Sequence, residues 1–229
     1  MTRHSRLEHP ESLSVRVRTM TAEDHQSAET VSFITQLMSG KRSVRDYALL
    51  VSQYFYIYNA LDDAADQLRA TTEVPGVAEL LDPRLDRRAA IRADLDALLP
   101  AAGLNREPVE LSSTAEYAQR LREVANDPAR LTAHHYLRYL GDLSGGLAIA
   151  RLVQRHYEVS DDQLNMYTFA SIEKPKLYKD AYRDQLDALG LTPAQQDEFI
   201  AEANRGFTYN KTVFEELGTY SDSLAPAGV

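Results

Sequence analysis

The chain contains no cysteine. Disulfides, thiolate metal centres and cysteine nucleophiles are therefore excluded, and a reducing compartment is compatible. Basic residues are scarce: 25 Lys and Arg stand against 34 Asp and Glu, a formal charge of −9, too acidic for a broad phosphate-binding footprint. No apolar run approaches the ~20 residues that cross a bilayer. The first ten residues, with Arg3, His4, Arg6 and Glu8, lack the apolar core of a secretion signal. The tail after Leu217 is polar and then small, so it reads as no membrane anchor. A cytoplasmic protein is expected. Phosphate loops, Gly-x-Ser-x-Gly elbows and zinc-type spacings are missing too. His25, His134, His135 and His156 each lack a Glu three residues earlier, which argues against a ferritin-like di-iron site.

What is present is helical spacing almost throughout, with hydrophobic residues at 44% of 229, enough for one packed core. Thr21 and Asp24 suggest a capping box opening a helix through Ala28, Val31, Phe33, Ile34 and Leu37 to Gly40. Ser43 and Asp46 repeat the device, and the amphipathic pattern after them runs to about Ala70. A looser stretch, 71–83, precedes a helix from about Leu85 to Leu99, closed by Pro100 and Gly103. Ser113 with Glu116 opens a short helix, and Asp127 with Pro128 opens a long one reaching Tyr157. Ser160 with Gln163 starts a short helix; Pro175 starts another that ends at Gly190. Thr192, Pro193 and Gln195 start the last, which stops near Leu217 and Gly218. There is no strand pattern and no repeat. The reading is all-α, a single helical domain over 13–217 with mobile tails 1–12 and 218–229.

One segment breaks a local rule. Arg138 to Gly146 places Gly141, Gly145 and Gly146 inside a strong helix. Each costs roughly 1 kcal/mol against Ala, ~2–3 kcal/mol together if additive. Bare backbone allows either a close helix crossing or a flat ligand lying against it. Asp142, in the same stretch, could order water or bond a ligand, or be a solvated helix residue. His25 has Glu29 at i+4, where a carboxylate can fix an imidazole at a metal, though a surface pair fits the spacing equally.

Taken together these residues resemble the haem oxygenase family. The run Tyr136-Leu-Arg138-Tyr139-Leu-Gly141-Asp142-Leu-Ser-Gly145-Gly146 is similar to its distal-helix signature, and His25 with Glu29 to its proximal-helix pattern. Lys179-x-x-Tyr182-Arg183 resembles its propionate-binding segment. Phe207-x-x-Asn210, leading into Phe214 to Leu217, resembles its last core helix, and Tyr54 to Leu61 its second helix. The likeness spans about 13–217. It implies a haem oxygenase bundle in which haem b, both substrate and cofactor, is sandwiched between a proximal and a kinked distal helix.

By the same resemblance His25 is the proximal iron ligand, with Glu29 beside it. Gly141 and Gly145 let the distal helix pass close over haem, and Gly146 helps it bend. Asp142 orders a distal water, in a network with Tyr58, Arg138 and Asn210. Arg18, Tyr136, Lys179 and Arg183 meet the propionates, and Phe207 packs on the ring. Arg18 departs from the family's frequent Lys, exchanging a point charge for a planar fork. The implied reaction uses O₂ and electrons from an external donor (a ferredoxin, flavodoxin or flavoprotein reductase) to give biliverdin, expected as the α isomer, with ferrous iron and CO. It would serve iron acquisition or haem breakdown. Without an apolar tail the chain resembles the soluble bacterial-type members. A haem carrier or sensor is the rival from another class, and would need no distal carboxylate. A thiaminase-like activity would need a cysteine nucleophile, which is missing.

Overall fold

A computed structural model describes residues 11–224 and shows ten α-helices with no strand among them. They are α1 (Leu13–Met20), α2 (Ala22–Glu29), α3 (Ser32–Met38), α4 (Val44–Thr71), α5 (Val77–Leu80), α6 (Arg88–Ala101), α7 (Ser112–Glu123), α8 (Pro128–Tyr157), α9 (Pro175–Asp187) and α10 (Pro193–Ser223). The long helices α4, α8 and α10 form the frame; α6 and α7 back α4, and α1 to α3 lie along α10. Tyr47, Tyr58, Tyr117, Tyr139 and Tyr182 are fully buried among Leu, Ile and Phe side chains. Each buried aliphatic or Phe side chain contributes about 1.5–3 kcal/mol, so the core readily offsets local costs such as interior glycines.

Where capping chemistry is strong, sequence and structure agree. Ser43 and Asp46 form the reciprocal capping box of α4, and Asp127 accepts from the Arg130 N–H above Pro128 at the start of α8. Thr192 and Gln195 do the same for α10. The departures have physical reasons. The helix expected from Thr21 to Gly40 is two, because Thr30 turns its hydroxyl back onto the carbonyls of Gln26 and Ser27 and Val31 is extended. Thr21 caps nothing ahead of it; its hydroxyl donates to the Val17 carbonyl and closes α1, an element the sequence reading did not resolve. Ser113 is not a cap: the N–H groups of Ser112 and Ser113 are taken by the Glu216 carboxylate of α10. Ser160 and Gln163 do form a capping box, but over one 3₁₀ turn. Pro100 lies inside the last turn of α6, and Gly103, at φ +67°, ends it.

The largest correction is at the C-terminus. Helix α10 continues through Gly218 to Ser223. A Cβ on Gly218 would sit 3.3 Å from Phe33, so this glycine lets α3 approach rather than stopping the helix. Beyond it Ser221 donates to Asp46 and Arg42 pairs with Asp222, tying residues 218–223 to the start of α4. Residues 1–10 and 225–229, the remainder of the expected mobile tails apart from 11 and 12, lie outside the described residues.

Helices α8 and α10 cross closely at Gly206, where a Cβ would meet His134 Nδ1 at 3.1 Å and Leu137 at 3.2 Å. Beside this contact His134 Nε2 lies 2.9 Å from Glu202, which also accepts two bonds from Arg120 of α7, at 2.9 and 2.8 Å. Burial raises the Glu202 carboxyl, but Arg120 and His134 outweigh it and draw it down to about 2. Burial keeps His134 neutral, so its Nε2–H is the donor to Glu202 and Nδ1 accepts from Tyr117, 3.3 Å away. A carboxyl depressed in the folded state contributes stability above its unfolded value that is lost as pH falls. Glu202→Ala is therefore expected to cost about 3 kcal/mol at neutral pH. It should also flatten the loss of stability between roughly pH 4 and pH 2, read by denaturant unfolding across pH. An unchanged acid limb would refute this role for Glu202.

Candidate active site

Between α2 on one side and the glycine stretch of α8 on the other lies a cleft of two connected lobes, both bounded by His25, Glu29, Leu137, Gly141, Gly145 and Phe207. The inner lobe has a cavity volume of about 330 Å³ and the outer about 510 Å³. Helix α8 is unbroken from Pro128 to Tyr157. A Cβ added at Gly141 or Gly145 would meet nothing within 4 Å, so these glycines leave space that faces the cleft, and the close helix crossing is made by Gly206 instead. Gly146 differs: its face packs on Tyr167, with only 3.1 Å to spare for a Cβ.

The inner lobe ends in a polar group on α4, α8 and α10. Asp142 is half-buried and accepts a hydrogen bond from the Tyr58 hydroxyl at Oδ2. The Arg138 guanidinium is buried, with its carbon 4.8 Å and 4.6 Å from the Tyr54 and Tyr58 ring centres, and Nη1 donates to Asn210 Oδ1 at 2.7 Å. Its Nε is buried without a partner among the described residues. Burial raises the Asp142 carboxyl; the Arg138 charge and the Tyr58 hydrogen bond offset only part of this, so it holds its proton above the ordinary carboxylate range. All four residues expected in the distal network, Asp142, Tyr58, Arg138 and Asn210, are thus neighbours. The sequence reading missed two more. Tyr54 lines the lobe and faces Arg138, and Tyr117, stacked on Tyr209 at 5.0 Å and 3.3 Å from His134, feels the Arg138 charge. Tyr54 sits one helical turn before Tyr58, a spacing that could have flagged it.

The outer lobe is cationic. Arg18, Tyr136 and Arg183 line it. Lys179 reaches it through Ser144, donating to the hydroxyl at 2.9 Å. Lys179 and Arg183 are one turn apart on α9, and burial followed by the Arg183 charge lowers the Lys179 ammonium. Asp180 answers Arg183 at 3.0 Å. Arg18 is placed by the anchoring of α1: Ser14 bonds Asp187 twice at 2.7 Å, and Arg16 bonds Gln196 and Asp197, each at 2.7 Å. Among the described residues Arg18 has no ion-pair partner.

His25 stands on α2 with its ring edge-on to Phe207, centres 5.2 Å apart. Its Nε2 lies 3.3 Å from Glu29 Oε1, so the expected i, i+4 contact is present. That contact occupies Nε2, and an iron bound there would require the ring or Glu29 to turn. Both side chains are more than half exposed, 52% and 66%, so turning meets little packing resistance. The space beside Gly141 and Gly145 and the buried Nε of Arg138, with no protein partner, suit a flat group flanked by a histidine. Ala28, Ile34, Met38, Leu50 and Phe214 are among the apolar wall residues; none was expected from sequence as lining, because apolar lining looks like any core face.

A helical cleft joining an accessible histidine, bare helix backbone, a carboxyl raised by burial and a cationic rim is the ligand-binding cleft of an all-helical protein. The Heme oxygenase family model matches residues 11–216. The chain is 34% identical to heme oxygenase 1 of Nostoc sp. PCC 7120, over 90% of this chain and 85% of that protein. It is 32% identical to heme oxygenase of Porphyra purpurea, over 91% and 87%. The crystal structure of heme oxygenase-1 from Synechocystis sp. PCC6803, in complex with heme, superposes with a TM-score of 0.84 at 29% identity, covering 93% of this chain and 96% of that one. The chain belongs to the haem oxygenase family, oxidoreductases that cleave haem to biliverdin.

Gly141 and Gly145 yield a prediction with two opposite signs. Gly141→Ala and Gly145→Ala should each stabilise the haem-free protein, by up to about 1 kcal/mol, since the new methyl clashes with nothing. The same methyls should weaken haem binding. Thermal unfolding and haem titration check both; a variant with unchanged haem affinity would show that the bare backbone is not the haem surface.

Proposed function

We propose that haem b lies in the cleft with His25 as its proximal iron ligand and the Gly141–Gly145 backbone against its other face. Bound haem supplies the iron that activates O₂, with electrons from an external donor. The carrying observation is the placement in one cleft of His25, the two open glycines and the Asp142 network. Arg18, Tyr136, Lys179 and Arg183 bind the propionates, and Phe207 packs on the ring beside His25. A dianion there relieves the repulsion between Lys179 and Arg183, and Arg supplies paired donors that fix orientation as well as charge. Asp142, protonated more readily than an ordinary carboxyl, orders water at the distal face and delivers protons, with Tyr58 and the Arg138–Asn210 pair holding it in place. Glu29 steadies the imidazole once the ring has turned.

We read the product as the α isomer, because propionate contacts set the rotation of the ring and so which edge meets the glycine backbone. No helix among the described residues is long and apolar enough to cross a membrane. The reading places the reaction in the cytoplasm, where a ferredoxin, flavodoxin or flavoprotein reductase supplies electrons for iron acquisition or haem breakdown.

The test is reconstitution with hemin, reductant and air, followed by visible spectra and CO detection. Biliverdin and CO are expected; tight haem binding with no ring opening under a competent reductase would instead identify a carrier. Asp142→Ala should retain haem but lower the biliverdin rate by about 10²-fold or more, and a normal yield would remove Asp142 from the mechanism. His25→Ala should lose the native ferric spectrum and regain it with added imidazole. Removing both cations, Lys179→Ala with Arg183→Ala, should turn a single biliverdin isomer into a mixture by chromatography. A single unchanged isomer would mean that the rim does not set rotation.

A further inference from the structure

Two buried groups, Tyr182 of α9 and His135 of α8, take no part in the chemistry of the cleft. Each is 2% exposed. The Tyr182 hydroxyl lies 2.8 Å from His135 Nδ1, and the two rings stack with centres 5.8 Å apart, 9° from parallel. Burial pushes the imidazole down to about 3, so it is neutral and one of its nitrogens is an acceptor. His135 also bounds a cavity of about 10 Å³, the size of about one water, together with Asp62, Asp66, Asp82 and Asp86. That acidic side favours the ring proton on Nε2, which leaves Nδ1 to accept from the phenol. Burial raises Tyr182 well above the ordinary phenol range, so at rest the hydroxyl keeps its proton.

We propose that Tyr182 is a redox-active tyrosine, yielding an electron towards haem in the neighbouring cleft and its proton to His135 when a peroxide oxidises that haem. The inference rests on haem lying in the cleft. Tyr136 lines the outer lobe, and its ring centre is 6.4 Å from that of Tyr182. A second row of rings leads in from the inner lobe: Tyr54 to Tyr58 at 6.2 Å, Tyr58 to Tyr139 at 5.8 Å and Tyr139 to His135 at 4.6 Å. With neither Cys nor Trp in the chain, tyrosine is the side chain that loses one electron most readily. Electrostatics select Tyr182 among them. The Arg138 guanidinium lies over the Tyr54 and Tyr58 rings and its charge reaches Tyr117, so electron loss is opposed at all three. Tyr117 also has the longer bond to its histidine, 3.3 Å to His134. Tyr178, bonded to Asp82, carries the Arg84 guanidinium 5.4 Å from its ring centre. Tyr182 has no cation over its ring among the described residues.

The step balances as follows. A peroxide takes two electrons as its O–O bond breaks, which reduces both oxygens to the level of water. One electron comes from the haem iron and the other from Tyr182, by way of the Tyr136 ring. The Tyr182 O–H bond breaks and an N–H bond forms at His135 Nδ1, leaving a neutral phenoxyl radical beside an imidazolium. An oxidised phenol is a far stronger acid than an imidazolium, so even a histidine at about 3 takes its proton. The new cation is met by charge. The Asp82 charge favours it and the Arg69 charge opposes it. Against burial, arginine partners hold Asp66, Asp82 and Asp86 below the usual carboxylate range, so the shared cavity is lined by anions. An electron from the donor that drives the main reaction, with the proton returned by His135, restores the pair. An oxidising equivalent not spent on haem is thus held on a buried ring until it is reduced.

The experiment mixes the haem-loaded protein with hydrogen peroxide, freezes it and records electron paramagnetic resonance. A tyrosyl signal is expected, with one exchangeable proton coupling from His135 Nδ1–H that disappears in D₂O. Tyr182→Phe should lose this signal and Tyr117→Phe should keep it. His135→Leu should lose the exchangeable coupling, with hemin binding as the check that the variant folds. In the haem-free protein, nitrogen magnetic resonance should place the His135 proton on Nε2, and Tyr182→Phe should shift Nδ1. A signal that survives Tyr182→Phe, a coupling that survives His135→Leu, or a resting proton on Nδ1 overturns the proposal. Parent protein that leaves the hemin spectrum unchanged, with the nitrogen shifts as expected, would instead overturn the haem reading of the cleft, and the proposal through it.

Discussion

Everything in this molecule depends on α8 remaining one helix while its middle is stripped of side chains. Glycines at 141, 145 and 146 cost about 2–3 kcal/mol of helix stability, and two of them face an open cleft where nothing packs in return. The compensation comes from the helix's other contacts. Asp127 caps its start, His134 is fixed to Glu202, Arg138 to Asn210 and Tyr139 to Asp62. A buried hydrogen bond adds about 1 kcal/mol net, and one made to a charged group adds more. These contacts are of the right size to hold the segment helical with its front bare.

The same contacts determine the electrostatics. Arg138 brings a full positive charge into the interior, and among the described residues no carboxylate is hydrogen-bonded to it. Its charge is spread across two tyrosine faces and the carbonyl oxygen of Asn210. The nearby Asp142 is drawn two ways, upward by burial and downward by Arg138 and Tyr58, and burial prevails. Without Arg138 burial would raise this carboxyl further; a direct bond to Arg138 would lower it. Asp142 instead bonds the Tyr58 hydroxyl while Arg138 lies over the Tyr58 ring, so the two opposing pulls on the carboxyl leave it raised.

Much of the frame was legible because capping chemistry is local. Ser43 with Asp46, Asp127 with Pro128, and Thr192 with Gln195 mark helix starts that the structure reproduces. The distal motif was legible because glycines inside a helix contradict its propensity. What the sequence could not disclose depends on partners distant in the chain. Ser113 looks like a cap until Glu216, 103 residues away, takes its N–H. Gly218 looks like a stop until Phe33 packs against it. Gly206 carried no signal at all, yet it makes the close helix approach that the distal glycines had suggested. Tyr117 was invisible for a similar reason: its role comes from His134 and Tyr209, which lie on other helices.

His25 differs from the rest of the site in its freedom. The distal side is fixed by buried bonds on three helices, whereas His25 and Glu29 are over half exposed on a helix of eight residues, bounded by Thr21 and Thr30. Ala28 is the buried residue of α2, so the His25 and Glu29 side chains can turn against little packing although the helix itself lies along α10. The cleft therefore has one wall of buried, bonded side chains and one wall whose facing side chains are exposed. The rigid wall carries Asp142, Tyr58, Arg138 and Asn210, and the other wall carries His25, the residue proposed above to bind iron. A haem entering such a cleft would be oriented by the rigid wall and the cationic rim, and then gripped from the side that can move.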